Sequence, residues 1–257
     1  MTDPAPQLSV LIPFYNEAGN VLPLLEEVHA VLGGAMVFEV VCVDDQSGDA
    51  TGDELAEAAA RWPDTVRVLT HIRRAGKSAA LFTGLKAVRG AWTQLIDGDG
   101  QNDIADTSRV WAEMIAPGAP PRLGLIAGRR KSRNDSGFKW LQSRIANGVR
   151  RFVLKDDATD TGCGWKLIRT ETFRELPFFA SMHRFLPALV KRAGWEVREE
   201  WVNDRARWHG ASKYGFLGRF GAGLFDLLGM FWLIRRGGYG VAREWDDPRA
   251  EEQAQRS

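Results

Sequence analysis

Cysteine is scarce in this chain. Its 257 residues include only Cys42 and Cys163, and their spacing matches no C-x-x-C pair. A small secreted fold held together by a disulfide framework is therefore excluded, and a reducing, cytosolic setting is favoured. Cys42 stands within an apolar run, which predicts a core residue. The first seven residues are polar and contain proline, so no signal peptide is expected there.

A long uninterrupted apolar run is also missing. The most apolar stretch, residues 216–234, is 19 residues long, but Arg219 and Asp226 interrupt it and it contains four glycines. An aspartate near the centre of a membrane span costs about 3 kcal/mol. These features predict a membrane-associating helix over residues 216–236, lying on the membrane or forming a dimer, and a disordered polar tail over 237–257.

An excess of charge of one sign is absent as well. The formal net charge is +1, so the charge of the whole chain indicates no partner. Locally, residues 129–155 carry nine basic side chains against the single acid Asp135. Such a block is either a solvated face or a surface for phosphate or an anionic membrane. Its amphipathic part, residues 140–153, could equally pack on the core or lie at a membrane. Nucleic acid is not expected, because few aromatic residues lie among the basic ones.

Short apolar runs alternate with helical segments through the first hundred residues. Apolar residues recur at helical spacing over residues 21–32. A second helix is expected near Thr51, where Glu54 completes the spacing of a capping box, and a third from Gly76 to near Gly90. Strands are predicted over residues 8–12, 38–43, 66–70 and 92–96. This alternation predicts an α/β fold with a mostly parallel sheet covered by helices on both faces.

The most informative stretch is the acidic turn at residues 97–101, with the sequence DGDGQ. It follows a predicted buried strand, and residues two apart in an extended segment point the same way. Asp97, Asp99 and Gln101 can therefore converge as oxygen donors for Mg²⁺ or Mn²⁺. A solvated Asp-Gly turn is the alternative. The location at the carboxyl end of a strand, where open α/β sheets bind ligands, favours the metal site.

Polar residues follow the other predicted strands too. Asp44 and Asp45 could accept hydrogen bonds from a base or ribose, and Lys77, at a helix start, could meet a diphosphate. Taken singly, a turn or capping role for Asp45 and a surface role for Lys77 are equally good interpretations. Position 71, where a P-loop would need glycine, is histidine, which excludes an ATPase of that type.

Taken together, these segments resemble inverting GT-A glycosyltransferases of family 2. The motifs PFYNE (13–17), DDQS (44–47), GKS (76–78) and DGDGQ (97–101) stand in the order and spacing of that family. In the second half, DTGCGWK (160–166) looks like the family's D-x-x-x-G-[FW]-[KR] segment. The sequences HRFLP (183–187), RAR (205–207) and GASKY (210–214) look like the branch of dolichol- or polyprenyl-phosphate mannose (or glucose) synthases. The resemblance covers roughly residues 8–236.

The resemblance implies a GT-A, Rossmann-like fold with C-terminal membrane-proximal amphipathic helices. It implies transfer of a sugar, with inversion, from a UDP- or GDP-linked nucleotide sugar to a polyprenyl phosphate such as dolichol or undecaprenyl phosphate. The implied cofactor is a divalent cation, Mg²⁺ or Mn²⁺. The implied location is the cytoplasmic face of a membrane, with a peripheral or monotopic attachment. A homodimer or a small membrane protein is a further candidate partnership.

The implied site residues fall into overlapping groups. The metal ligands are Asp97, Asp99 and Gln101, and the catalytic candidates are Asp99, Arg207 and Lys213. The nucleotide-sugar residues are Pro13, Tyr15, Glu17, Asp44, Asp45, Lys77 and Asp97. A phosphate monoester acceptor has a second pKa of about 6, so it needs cationic positioning more than a general base. Arg129, Arg130, Arg133 and Arg205 are the candidates for that role, because guanidinium groups bind phosphate oxygens in pairs.

Two further expectations concern organisation and acceptor. A catalytic domain is expected over residues 1–215, with a nucleotide-sugar half over about 8–101 and an acceptor half over about 102–215. The branch often has histidine where this chain has Asp204, which leaves the acceptor preference open. The alternatives are a family 2 transferase acting on a glycan or other non-lipid acceptor, and a catalytically idle nucleotide-sugar binding protein. The sequence assigns neither the sugar nor the base.

Overall fold

The computed structural model describes residues 5–130, 154, 156, 158–209 and 216–236, with side chains from residue 225 onward in the last range. The strands are β1 Leu8–Phe14, β2 Phe38–Asp44, β3 Val66–Thr70, β4 Trp92–Leu95, β5 Leu123–Arg130, β6 Lys166–Arg169 and β7 Glu196–Val202. The helices are α1 Val21–Leu32, α2 Thr51–Arg61, α3 Lys77–Leu85, α4 Ala105–Val110, α5 Thr170–Glu175, α6 Leu186–Arg192 and α7 Phe216–Arg236. A π-helical turn, Trp111–Ile115, continues α4, and a 3-10 turn, Met182–Arg184, precedes α6.

These strands form one sheet in the order β3-β2-β1-β4-β6-β5-β7. The pairs β3-β2, β2-β1, β1-β4 and β5-β7 are parallel, whereas β6 is antiparallel to both of its neighbours. The prediction of a mostly parallel α/β sheet is confirmed. Since β1, β2 and β4 run the same way, their carboxyl ends meet at one edge, where ligands bind in sheets of this kind.

Apolar side chains bury both faces of the sheet. On one face, α1 packs through Leu24, Leu25 and Val28 against alternate residues of β1 and β2. On the other face, α3 packs through Ala80 and Leu81 in a second cluster, which α5, α6 and α7 complete. The β1 and β2 residues are almost all buried, as expected for central strands covered on both sides.

Two local expectations were wrong. Helix α3 ends at Leu85, not near Gly90, because Lys86 N–H and Ala87 N–H bond to carbonyls three residues back, those of Thr83 and Gly84, so the chain continues as a turn. Thr51 and Glu54 do not form a capping box, since the residue before α2 makes no side-chain cap. Their side chains instead accept hydrogen bonds from the backbone N–H groups of Glu17 and Gly19. They fix the loop after β1, which belongs to the site.

Helix α7 covers the most apolar stretch of the sequence. Its Met230 is buried in the second core cluster, while Phe225, Leu228 and Trp232 are 78%, 57% and 61% exposed. In the part of the chain that the structure describes, no helix combines the length and the hydrophobicity needed to cross a bilayer. The predicted amphipathic segment 140–153 and the tail 237–257 lie outside the described residues.

Candidate active site

The acidic turn lies directly after β4, at the sheet edge that β1 and β2 share. Asp97 N–H donates to Oδ1 of Asn102, and Gln101 N–H donates to Oδ1 of Asp99 at 3.2 Å, so the turn is closed by its own side chains. Gly100 has φ 74°, and a Cβ there would lie 2.5 Å from the ring of Trp208. Glycine is therefore required at this position both for the backbone and for the close contact.

Lys77 neutralises Asp97. Its ammonium, at the start of α3, forms an ion pair with Oδ1 of Asp97. Burial alone would raise the pKa of Asp97, but the charge and hydrogen bond of Lys77, together with the charges of Lys166 and His183, hold that pKa below its usual value. Asp97 is thus an anion over the whole physiological range. The helix start and the acidic turn, which are far apart in sequence, meet at this contact.

Arg207 neutralises Asp99. Its Nη2 lies 2.7 Å from Oδ2 of Asp99, whose side chain is only 8% exposed, and its Nη1 lies 3.3 Å from Oε1 of Glu17. Burial and the charge of Asp97 raise the pKa of Asp99 to about 6, although Arg207 opposes this rise. Two neighbouring carboxylates therefore differ in pKa, and each already faces a cation.

The donor set at this turn fits a hard divalent ion. Asp97 and Asp99 supply carboxylate oxygens, and each is paired with a cation whose charge an ion could replace. Gln101 donates its amide N–H to the carbonyl of Arg205, which leaves its amide oxygen as an acceptor. Among the described residues, no group of three or more His, Cys, Asp and Glu side chains converges. A site with two carboxylates leaves coordination positions for substrate phosphate and water, as Mg²⁺ prefers.

A second stretch of chain, the 203–209 segment, lies across the acidic turn. Arg205 N–H donates to the carbonyl of Gln101, and Asp204 forms an isolated antiparallel bridge with Asn102. His209 N–H donates to Oδ1 of Asn20, just before α1. The motif RAR therefore enters the site as part of an ordered segment anchored at several points.

Arg205 is an anchor of this segment. Its guanidinium pairs with both carboxylate oxygens of Glu27 on α1, at 2.9 and 2.8 Å, and Nη2 also donates to the carbonyl of Asn102. The hydrogen bonds and charge of Glu27 raise the pKa of Arg205 further above its usual value, so it stays cationic. In this arrangement the side chain of Arg205 ties the 203–209 segment to α1, while the side chain of Arg207 binds a carboxylate of the acidic turn.

The expected nucleotide residues line the ends of β1 and β2. Oδ1 of Asp45 accepts from Ala75 N–H, its Oδ2 accepts from Gly76 N–H, and His71 lies 2.7 Å away, so Asp45 holds the loop before α3. Asp44 accepts from the backbone and hydroxyl of Ser47. The guanidinium of Arg74 lies 4.0 Å from the ring centroid of Tyr15. Pro13 lies near the carboxyl end of β1, whose neighbours in the sheet are β2 and β4, the strand that leads to Asp97.

The expected acceptor arginines are only partly brought together. Arg129 and Arg130 end β5, where Arg129 stacks 4.1 Å from the ring of Trp201 on β7. Arg130 pairs with both oxygens of Asp160, at 2.7 and 2.9 Å, and lies 3.8 Å from Asp204. The hydrogen bonds of Asp160 raise the pKa of Arg130. Arg133 and Lys213 lie outside the described residues.

Two residues at the site were missed by the sequence reasoning. Lys166, the last residue of DTGCGWK, begins β6 and is 4% exposed. His183, the first of HRFLP, is hydrogen-bonded through Nδ1 to the hydroxyl of Ser78 on α3, at 2.7 Å. Both residues belong to motifs described above, DTGCGWK and HRFLP. The sequence does not show that these motifs lie beside Lys77 and Asp97; the sheet order and the packing of α3 do.

Gly164 in the same motif contacts Asp97. A Cβ at Gly164 would lie 2.5 Å from Oδ2 of Asp97 and 2.8 Å from Oδ1 of Asn102, closer than side-chain atoms can approach. Gly162, two residues earlier, would bring its Cβ no closer than 3.5 Å to any atom. The two glycines of this segment therefore differ, and only Gly164 is needed for the Asp97 side chain to take its position.

Comparison with known sequences identifies relatives of the whole described domain. The model of the family "Glycosyl transferase family 2" matches residues 9–177. A dodecaprenyl-phosphate galacturonate synthase of Rhizobium johnstonii is 32% identical over 237 residues, which cover 89% of this chain and 68% of that protein. An undecaprenyl-phosphate 4-deoxy-4-formamido-L-arabinose transferase of Edwardsiella ictaluri is 28% identical over 211 residues, covering 82% and 63%. The chain thus spans about two thirds of the length of these curated relatives.

Solved structures share the fold at lower identity. The mannosyltransferase PcManGT of Pyrobaculum calidifontis, in complex with GDP-Man and Mn²⁺, superposes with a TM-score of 0.65 at 20% identity, over 93% of this chain and 67% of that one. Glucosyl-3-phosphoglycerate synthase of Mycobacterium tuberculosis, in complex with Mn²⁺, UDP-glucose and phosphoglyceric acid, gives 0.64 at 17% identity, over 93% and 83%. These likenesses establish the GT-A architecture. With the family match over more than half of its length, the chain belongs to glycosyl transferase family 2.

Proposed function

We propose that this glycosyltransferase moves a sugar from a nucleotide diphosphate sugar to a polyprenyl phosphate at a membrane surface. The observation that carries the proposal is the Asp99–Arg207 contact. This contact places two carboxylates beside an arginine. The carboxylates suit a metal ion bound to a diphosphate, and the arginine suits a phosphate acceptor. The names of the relatives, which pair prenyl phosphates with sugars, support the same acceptor class.

The donor would lie along the sheet edge. Tyr15, Asp44 and Asp45 at the ends of β1 and β2 would contact the nucleotide, and Asp97, Asp99 and Gln101 would hold Mg²⁺ or Mn²⁺ after β4. A divalent ion bound there would supply Lewis-acid stabilisation of the departing diphosphate. Glu17 holds Asn20 through Oε2 and Arg207 through Oε1, so its first task is to keep Arg207 beside the acidic turn.

The chemistry needs no strong base from the protein. An acceptor phosphate oxygen forms the new bond to the anomeric carbon from the face opposite the diphosphate, and the carbon–oxygen bond to the diphosphate breaks with inversion. The acceptor is already largely ionised, since its second pKa is about 6. The role of Arg207, with Lys213 as a second candidate, is to hold that anion in line. A guanidinium suits this because two of its N–H groups can bind two phosphate oxygens at once.

The membrane surface would lie against α7. Phe225, Leu228 and Trp232 recur at helical spacing and are exposed on one face, while Met230 packs into the core on another. Arg235 and Arg236 end the helix, and basic residues beside an apolar face favour anionic lipid. A helix held in this way would lie flat on the bilayer. The cytoplasmic face and a homodimer or small membrane partner remain predictions from the sequence.

The decisive experiment is transfer by the purified chain with Mn²⁺, using a panel of UDP- and GDP-sugars with and without a polyprenyl phosphate. The expected result is a sugar–phospholipid from one donor. Asp99→Asn, which keeps the shape of the side chain, should lower the rate at least about 100-fold through lost charge. Asp53→Asn, on the exposed side of α2, is the matched control and should retain wild-type activity.

Two other outcomes would support the alternative functions. Product formed on a sugar or soluble phosphate acceptor but never on lipid would reject the prenyl phosphate while keeping the transferase. Binding of a nucleotide sugar without turnover on any acceptor would favour the idle binding protein.

A further inference from the structure

Lys166, at the start of β6, is a buried amine. The ammonium of Lys166 donates one hydrogen bond, to the carbonyl of Cys163, although the residue is only 4% exposed. Among the described residues, no carboxylate lies within ion-pair distance, 4.0 Å, of this ammonium. A buried charge without a partner is costly, and such groups concentrate at functional sites.

The anions that could have served Lys166 are committed to other groups. Asp97 pairs with Lys77, and Asp160 pairs with Arg130 through both of its oxygens. Cys163 is the remaining candidate, but burial raises the pKa of its thiol to about 11, so it is protonated at neutral pH. Within the described part of the chain, Lys166 therefore has no carboxylate of its own to pair with.

A second lysine, Lys77, and the imidazole of His183 lie near Lys166. Burial first, and then the charges of Lys77 and Lys166, lower the pKa of His183 well below its usual value, so this imidazole is neutral. Burial lowers the pKa of Lys166, and the charge of Lys77 lowers it as well, while the charges of Asp97 and Asp160 oppose this shift without reversing it. With both lysines protonated, Lys77, Lys166 and Asp97 carry a net charge of about +1; Lys166 is buried, whereas the side chains of Lys77 and Asp97 are 30% and 31% exposed. A bound anion of charge −1 would neutralise it.

The sheet order indicates which part of the donor reaches this cluster. The expected nucleotide residues end β1 and β2, the acidic turn follows β4, and β6 is the next strand beyond β4, with Lys166 directly opposite Leu95. A donor laid along this edge places base, diphosphate and sugar in that order. The cluster thus lies at the sugar end, past the carboxylates that suit the diphosphate.

We propose that Lys77, Lys166 and His183 bind a carboxylate on the donor sugar, so that the preferred donor is a nucleotide-linked uronic acid. This inference rests on the donor half of the proposed function. The relatives do not decide it, because one is named for galacturonate, an acidic sugar, and another for a formamido-arabinose, which has no carboxylate. One carboxylate would neutralise the net positive charge of the cluster. The burial of Lys166 suits the sugar end of the donor, which would reach furthest into the site.

The test compares donors that differ only at C6. UDP-glucuronate and UDP-glucose are titrated into the full chain with Mn²⁺ in a calorimeter, and GDP-mannuronate and GDP-mannose take their place if UDP alone does not bind. Wild type should bind the uronate about 10- to 100-fold more tightly, the range expected when a buried polar group would otherwise stay unpaired. Lys166→Met should remove that preference, and Lys166→Arg should keep part of it.

The controls separate the proposal from a folding defect. Lys86→Met, on an exposed lysine after α3, should leave the preference intact. Thermal unfolding identifies a misfolded variant, in which case Lys166→Gln replaces Lys166→Met. Equal affinity of wild type for the two donors would overturn the proposal. An equal loss of affinity for both donors in Lys166→Met would also overturn it and would assign Lys166 to the diphosphate.

Failure of the proposed function would look different. Because the titration contains no lipid, a uronate preference without any lipid product would reject the prenyl-phosphate acceptor and leave the carboxylate site standing.

Discussion

At the scale of single residues, Arg207 occupies a carboxylate oxygen that a metal ion would use. Arg207→Gln should therefore bind Mn²⁺ more tightly than wild type in the absence of donor, by about fivefold, because a contact worth about 1 kcal/mol no longer competes. Transfer should fall at the same time, since the acceptor loses a cation. Electron paramagnetic resonance of free Mn²⁺ measures the affinity.

The matched control is Arg61→Gln, which removes a surface pair with Glu26 in which both side chains are 50% exposed. Arg61→Gln should change neither the affinity for Mn²⁺ nor the rate of transfer. Weaker Mn²⁺ binding by Arg207→Gln would contradict competition and make Arg207 a support of the acidic turn.

Gly164 makes a second prediction at this scale. Gly164→Ala places a methyl group 2.5 Å from Oδ2 of Asp97, so the carboxylate must move away from Lys77. Mn²⁺-dependent binding of the nucleotide sugar should weaken by about tenfold, which corresponds to about 1.4 kcal/mol of lost interaction with the displaced carboxylate. Gly162→Ala has space for its methyl group and should bind normally; a similar loss in both variants would point to the loop backbone instead.

At the scale of elements, the pair formed by Glu27 and Arg205 connects the 203–209 segment to α1. Glu27→Gln should lower the free energy of unfolding by about 1 kcal/mol, since the charge-assisted bonds to a partly buried guanidinium are lost. Hydrogen exchange of backbone amides in 203–209 should speed up. Glu26→Gln, which removes the neighbouring exposed pair, is the control and should leave the exchange of the segment unchanged.

Glu39 on β2 is bonded to three neighbouring parts of the chain: Ser9 on β1, Arg67 on β3 and Arg89 before β4. Its side chain is 1% exposed, and it accepts hydrogen bonds from Ser9 on β1 and from the backbone and side chain of Arg89 before β4. Burial would raise the pKa of Glu39, but these bonds and the charge of Arg89 together hold it below the usual value of 4.5. A folded pKa below the unfolded one stabilises the protein above the unfolded value, and this stability is lost as the pH falls through the folded value.

Glu39→Gln should accordingly lower the free energy of unfolding by about 2 kcal/mol at neutral pH. The difference from wild type should shrink as the pH falls below 4.5, the usual value of a glutamate. Urea unfolding across this range measures it. Glu57→Gln, on the exposed side of α2, should match wild type throughout, and a difference for Glu39→Gln that is constant with pH would rule out the charge as the cause.

At the scale of the whole molecule, the exposed face of α7 predicts how the protein meets a bilayer. Trp232→Glu should lower the fraction of protein that sediments with anionic vesicles, because an aromatic anchor is replaced by a negative charge that the lipid surface repels. Ile72→Glu, which changes a side chain that is 98% exposed in the loop after β3, is the control. Equal losses in the two variants would indicate a general charge effect and not a contact made by α7.

The sequence predicted the fold class because periodic apolar runs report burial directly. Strands β1 to β4 and helix α1 were located, and α1 was located at its observed bounds. The acidic turn was found because two carboxylates after a buried strand carry a local signal. Lys166 and Glu27 were not found, because their partners lie far away in the chain and depend on which strands are neighbours. Propensity could not reveal that Thr51 and Glu54 serve the loop after β1, because that contact is tertiary.

The antiparallel β6 has a consequence for how the chain is made. It fills the gap between β4 and β5, although β5 precedes it in the chain. On the ribosome, β1 to β4 can assemble as soon as they emerge, but the open edge of β4 waits until residue 169 has been synthesised. Through that interval the nascent chain presents an unpaired strand edge, which favours association with other chains. Arg207 emerges later still, so the newborn protein becomes competent for catalysis only after the 203–209 segment has been synthesised.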